Sequence, residues 1–190
     1  MRPLFFALLL AAGCTTYQYQ ELARRFEREY STDRPAGHLP GGARVVYPAW
    51  LAEADRPAVL GSVESYIAPL RAAHPGAPWS RLEILIHPAC PFRAPWRAWV
   101  RGCRHGALVV VSWARLEDGS PRADRPLPVL PHEVLHWIAA STGQDSRDGS
   151  AWMAAQGALD KAARAGAAPC PLGAGSVGAA RGYVYRPWDG

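Results

Sequence analysis

The chain offers no apolar run long enough to cross a bilayer. The run near its start, residues 4–12, falls well short of the roughly 20 residues a spanning helix needs. No internal repeat is present, which sets aside solenoids and propellers. Cysteine is scarce at four, and one of these, Cys14, lies directly after the short apolar run, so the other three can form one internal disulfide and leave an odd thiol. Beyond His136 there is neither histidine nor glutamate, so a carboxylate ligand contributed by the last quarter of the chain has to be an aspartate.

What is present describes a folded protein. At 190 residues one domain is expected. With 49% apolar residues and eight Trp a sizeable core can be buried, while 18 Gly and 18 Pro predict long irregular connections. The first thirteen residues read as an export signal: Arg2, then the apolar run, then small residues. The order Leu10-Ala11-Ala12-Gly13-Cys14 resembles the lipobox of bacterial lipoproteins. That resemblance implies lipidation of Cys14, a lipid anchor in the bacterial cell envelope, and, with Thr15 following the cysteine, the outer membrane facing the periplasm. Residues 14–42, polar and then rich in Pro and Gly, are expected to be anchor and spacer, with a possible helix over 17–30, and 43–190 the globular domain.

Export makes disulfides admissible. Cys90 and Cys103 bracket a segment able to fold back as a hairpin and are the expected pair, with Cys170 open as a partner for either. The formal charge is +5. Arg93, Arg97, Arg101 and Arg104 recur in that segment, interleaved with Trp96 and Trp99, and read as a solvated hairpin face; an exported chain is not expected to meet nucleic acid.

Residues 43–47 suit a strand. Asp55 offers an N-cap and Pro57 an early helical position, before Val59, Val63, Tyr66, Ile67 and Leu70 at helical spacing; Pro69 is expected to kink or end that helix. Residues 82–87 and 107–113 read as strands, 96–100 as a weaker one, and 117–125 as a polar link. A helix then starts at Pro131 and stops at Thr142-Gly143, and Ser150 can cap a last helix over 151–165 before a loop tail. The class is α+β, with a twisted sheet of three to four strands.

The helix from Pro131 carries His132-Glu133-Val134-Leu135-His136. Residues i and i+4 share a face, so His132 and His136 can aim nitrogens at one ion, while Glu133, rotated by about 100°, reaches the metal-bound water as a general base without being a ligand. Candidates for a third ligand are Asp145, Asp148, Asp160, Cys170, His87 and His105. Tyr183, Tyr185, Arg181 and Arg147 are of the types that stabilise an oxyanion.

His132-Glu133-Val134-Leu135-His136 with its uncharged surroundings, in this order of elements, resembles the HExxH metallopeptidases called zincins over residues 43–165. The resemblance implies a small zincin-like domain, Zn2+ as cofactor, Glu133 as catalytic base, an edge strand that receives substrate, and a peptide or protein as that substrate. Residues 142–149 resemble the signature of the aspzincins, which puts Asp145 first and Asp148 second as third ligand. The alternative reading is a non-catalytic zincin-fold lipoprotein, a binding or scaffold protein whose zinc is closed by four ligands, Cys170 for instance among them.

Overall fold

The computed structural model describes residues 34–94 and 98–184. The export signal, Cys14, the candidate helix over 17–30, Trp96, Arg97, Tyr185 and Trp188 lie outside the described residues, as does the side chain of Arg93.

The architecture is α+β. Strands β1 (Ala36–His38), β2 (Arg44–Val46), β3 (Glu83–His87), β6 (Gly102–His105) and β7 (Leu108–Ser112) form one sheet in the order β1-β2-β3-β7-β6. β4 (Phe92–Arg93) and β5 (Trp99–Val100) pair separately as an antiparallel ribbon. β2, β3 and β7 run parallel, with β1 and β6 antiparallel on the two edges. The helices are α1 (Arg56–Ala73), α2 (Leu130–Ser141), α3 (Ala151–Ala155), α4 (Gly157–Ala165) and α5 (Ala174–Arg181). Among the described residues no helix is long and apolar enough to cross a membrane.

Strand alternation sorts the core into two layers. Val45, Ile84, Ile86, Val109 and Val111 point to one face, where they meet Val59, Val63, Ile67 and Leu70 of α1 and Leu130, Val134 and Ile138 of α2. Val46, Leu85 and Val110 point to the other, covered by Phe92, Cys103 and Leu108 with Val100 packed against them. Both central strands are therefore buried on two sides, which is why β3 and β7 read as continuous apolar runs.

Five strands replace the expected three or four. The additions are the edges: β6, from the arginine segment, and β1, from the residues expected to be spacer, so the folded domain begins before residue 43. Pro69 does not end α1, which runs on to Ala73. Asp55 precedes α1 but makes no side-chain cap; its Oδ2 accepts from Gly173 N at 3.0 Å and ties down the approach to α5, a helix in the expected loop tail. Ser150 does cap, accepting from Met153 N, but the helix it starts breaks at Gln156 into α3 and α4.

The expected Cys90–Cys103 bond is not formed: Cys90, Cys103 and Cys170 are free thiols. The fold-back does occur, as the β4–β5 ribbon, but Cys103 lies beyond it on β6 and is buried with Val46, Leu85 and Phe92. Cys90 sits half-buried before β4 in a different cleft.

Candidate metal centre

Helix α2 starts one residue before the expected position, with Val129 as N-cap and Pro131 in its first turn. Pro131, Val134, Leu135, Trp137 and Ile138 are buried, so the remaining edge carries His132, Glu133 and His136, all half-buried. The helix ends as Thr142 Oγ1 donates to Ile138 O at 2.8 Å and Gly143 adopts φ +76°, a left-handed turn that glycine makes without strain. The turn sends residues 144–150 back alongside the histidines.

Within that loop the two aspartates divide the work. Asp145 accepts from Arg147 N at 3.1 Å and pairs with the Arg147 guanidinium, which holds its carboxyl down at about 2. It builds the loop and takes no part in the histidine cluster. Asp148 is the residue presented to the histidines: its Oδ1 lies 3.2 Å from His132 Nε2 and 3.2 Å from His136 Nε2, and those two nitrogens are 3.0 Å apart. Asp148, and not Asp145, stands with the two histidines in a group that could hold a metal ion.

The donor set could hold a metal ion. Four ligands at about 2.0–2.1 Å in a tetrahedron are separated by about 3.3–3.4 Å, and the three measured edges come close to one face of that figure. His136 Nδ1 is 2.5 Å from Ser146 O, a carbonyl that can only accept, so Nδ1 carries the proton and Nε2 presents a lone pair. Two imidazole nitrogens and a carboxylate oxygen converging in this way could hold a cation between them. Among the described residues these three form the group able to hold a metal ion.

Glu133 is outside that triangle, beside β6, the edge strand of the sheet among the described residues. A Cβ added to Gly102 on β6 would lie 2.8 Å from Glu133 Cγ and 3.0 Å from Val129 Cγ2, so the absence of a side chain there is what lets the glutamate lie against the strand. Desolvation first, and then the Asp148 charge, raise the Glu133 carboxyl to about 7, against the pull of Arg104. A base tuned to neutral pH is suited to proton transfer. Val100, Gly102, Cys103, Arg104, Glu133, His136, Ser146 and Asp148 line a cleft of about 300 Å³.

The other candidates stand elsewhere. His87 is buried; it accepts from Ala89 N at 3.0 Å, stacks on Phe92, and is driven down to about 3 by desolvation, which keeps it neutral. Asp160 pairs with Arg164, Arg181 with Asp118, and Arg147 with Asp145. Cys170 is buried, its amide bonded to Ala123 O; His105 ends β6, and Tyr183 packs against the main core. Sequence reasoning missed Gly102 and Arg104. Their signal was the arginine-rich segment itself, assigned to a solvated hairpin when its second half forms the edge strand over the motif. No family model, curated protein or solved structure matches the chain.

Proposed function

We propose that this chain is a zinc-dependent metallopeptidase-like hydrolase with a zincin-like domain, held in the bacterial cell envelope by a lipid on Cys14. The observation that carries the reading is the triangle of His132 Nε2, His136 Nε2 and Asp148 Oδ1 with Glu133 beside it, opening into a cleft under a free strand edge. Three protein ligands leave one of four tetrahedral positions for water or substrate, the arrangement of catalytic and not of structural zinc. Cys170, which would have closed the site, is buried outside the cluster.

Zinc held there would supply Lewis-acid chemistry, polarising a scissile carbonyl and acidifying water. The residues do the rest. The free edge of β6 offers backbone N–H and C=O groups to an extended peptide. Glu133 takes the proton of the attacking water on its carboxylate and returns it to the leaving amine. Arg104, on the same cleft, supplies positive charge where negative charge develops on the carbonyl oxygen.

Glu133→Gln keeps the shape of the side chain and removes its basicity. Zinc stoichiometry and peptide hydrolysis measured on one preparation should show full metal and turnover reduced by a factor of about 10²–10⁴. Retained hydrolysis rejects the mechanism, and lost zinc rejects the role of Glu133. A wild type that binds zinc and cleaves nothing across a broad peptide library would favour a binding or scaffold protein. Mass spectrometry of the membrane fraction tests the anchor: a mature N-terminus other than acylated Cys14 rejects it.

A further inference from the structure

A second and larger cleft, of about 550 Å³, lies against the same stretch of chain. Four arginines line it: Arg101, Arg115, Arg122 and Arg125. Arg101 sits between Val100 and Gly102, which line the metal cleft, and Val129, which lines the arginine cleft, is the residue that approaches Gly102 most closely beside Glu133. The two clefts are therefore neighbours across one residue of strand and one of helix cap.

The arginines are held in place by their backbones. Arg101 O accepts from Ser112 N at 2.8 Å and from Ser112 Oγ at 2.9 Å at the end of β7. Arg122 O accepts from Trp113 Nε1 at 2.9 Å, and Ala114 N donates to Pro126 O next to Arg125. The Arg115 guanidinium is half-buried and donates to three carbonyls, those of Pro88, Gly119 and Ala180, with no carboxylate partner among the described residues. Among the described residues only Arg122 has an acidic partner, Asp124, while Arg101 and Arg125 make no side-chain hydrogen bond or ion pair. Four arginines lining one cleft, with a single acidic partner among the described residues, make it a place suited to an anion.

We infer that this cleft is a specificity pocket that takes the carboxylate side chains of an acidic peptide whose backbone lies along the free edge of β6. The inference rests on the peptidase reading of the metal centre for its substrate and names the class of that substrate. Arg101 directly precedes Gly102, so a peptide laid along this strand would run beside a residue that lines the arginine cleft. The walls are mixed, with Pro91, Leu116, Pro128 and Val129 beside the guanidinium groups, and so suit an aliphatic stem ending in a carboxylate.

The test uses the full chain carrying Glu133→Gln, so that peptide is bound and not consumed, with two hexapeptides identical except that two Glu in one are Gln in the other. The acidic peptide should bind at least tenfold more tightly at low salt, and the advantage should shrink as salt is raised. It should also slow alkylation of Cys90, which lines the cleft, severalfold, whereas the Gln peptide should not. Arg101→Ala with Arg125→Ala should erase both effects while zinc stoichiometry stays unchanged, which shows the variant folded. Equal binding of the two peptides, a preference that survives in the double variant, or displacement of the acidic peptide by a much tighter heparin fragment would each overturn the pocket. With the wild-type chain the two readings separate. Hydrolysis of both peptides at one rate leaves the peptidase standing and the pocket refuted, whereas acid-selective binding with neither peptide cleaved leaves the pocket standing and the peptidase refuted.

Discussion

The clefts on the two sides of residues 100–102 hold opposite chemistry. One gathers groups that could hold a cation, two imidazole nitrogens and the Asp148 carboxylate, with Glu133 beside them. The other is lined by four arginines, of which one has a carboxylate partner among the described residues. On one side the Gly143 turn and Ser146 O position the metal-binding candidates, and on the other Ser112 and Trp113 fix the backbone at Arg101 and Arg122. Residues 100–102 connect the two clefts.

The sharpest way to break the metal side is to exchange the fates of the two loop aspartates. Asp148→Ala removes a corner of the triangle and should weaken zinc binding about a hundredfold or more, taking hydrolysis with it. Asp145→Ala removes only the Arg147 pair, an exposed ion pair worth little, and should change zinc affinity less than about threefold. Competition with a fluorescent zinc chelator reads both. A larger loss at Asp145 would return the ligand role to that residue.

Next in size is Gly102→Ala. The added methyl group meets Glu133 Cγ and Val129 Cγ2 and no atom of His132, His136 or Asp148 among its nearest neighbours, so the glutamate must move first. Turnover should fall about 10–100-fold with zinc stoichiometry intact, as expected when a catalytic group is displaced by a fraction of an ångström to an ångström. Unchanged turnover would mean that the contact between β6 and Glu133 has no bearing on catalysis.

Much of the central structure was legible because its signals are local. The spacing from Val59 to Leu70, the runs at 82–87 and 107–113 and the Thr142-Gly143 stop correspond to α1, β3, β7 and the end of α2, and the histidine pair is set by helical geometry alone. What was illegible depends on partners distant in the chain. β1 and β6 are three and four residues long, and each is a strand only because β2 or β7 lies beside it. Asp145 and Asp148 are the same residue type three positions apart, and the loop's turn, not their chemistry, decides which one faces His132. Cys103 reads as a disulfide candidate from its separation from Cys90, but β6 places its side chain against Leu85 and Val110, where it packs as a small apolar group.

The smallest effect, and the one that isolates Glu133 from its metal, is on stability against pH in the metal-free protein. The folded chain holds the Glu133 proton up to about 7, while the unfolded chain releases it near the ordinary carboxylate value of 4.5. Its contribution is therefore fully present below pH 4.5 and is lost as pH rises through 7. His87 works in the opposite sense. Its folded value of about 3 lies below the ordinary 6.5, so the unfolded chain takes up a proton first and stability falls as pH drops from 6.5 toward 3. Between pH 5 and 6.5 the two slopes oppose, and the wild type in chelator should show a shallow profile. Glu133→Gln leaves the His87 slope unopposed. Urea denaturation of the variant should show stability climbing more steeply from pH 5 to 7 than in the wild type, by about 1 kcal/mol once the partial exposure of Glu133 is allowed for. Parallel profiles would mean that Glu133 titrates as an ordinary solvated carboxylate, and the argument for a base tuned by the β6 edge would fail with it.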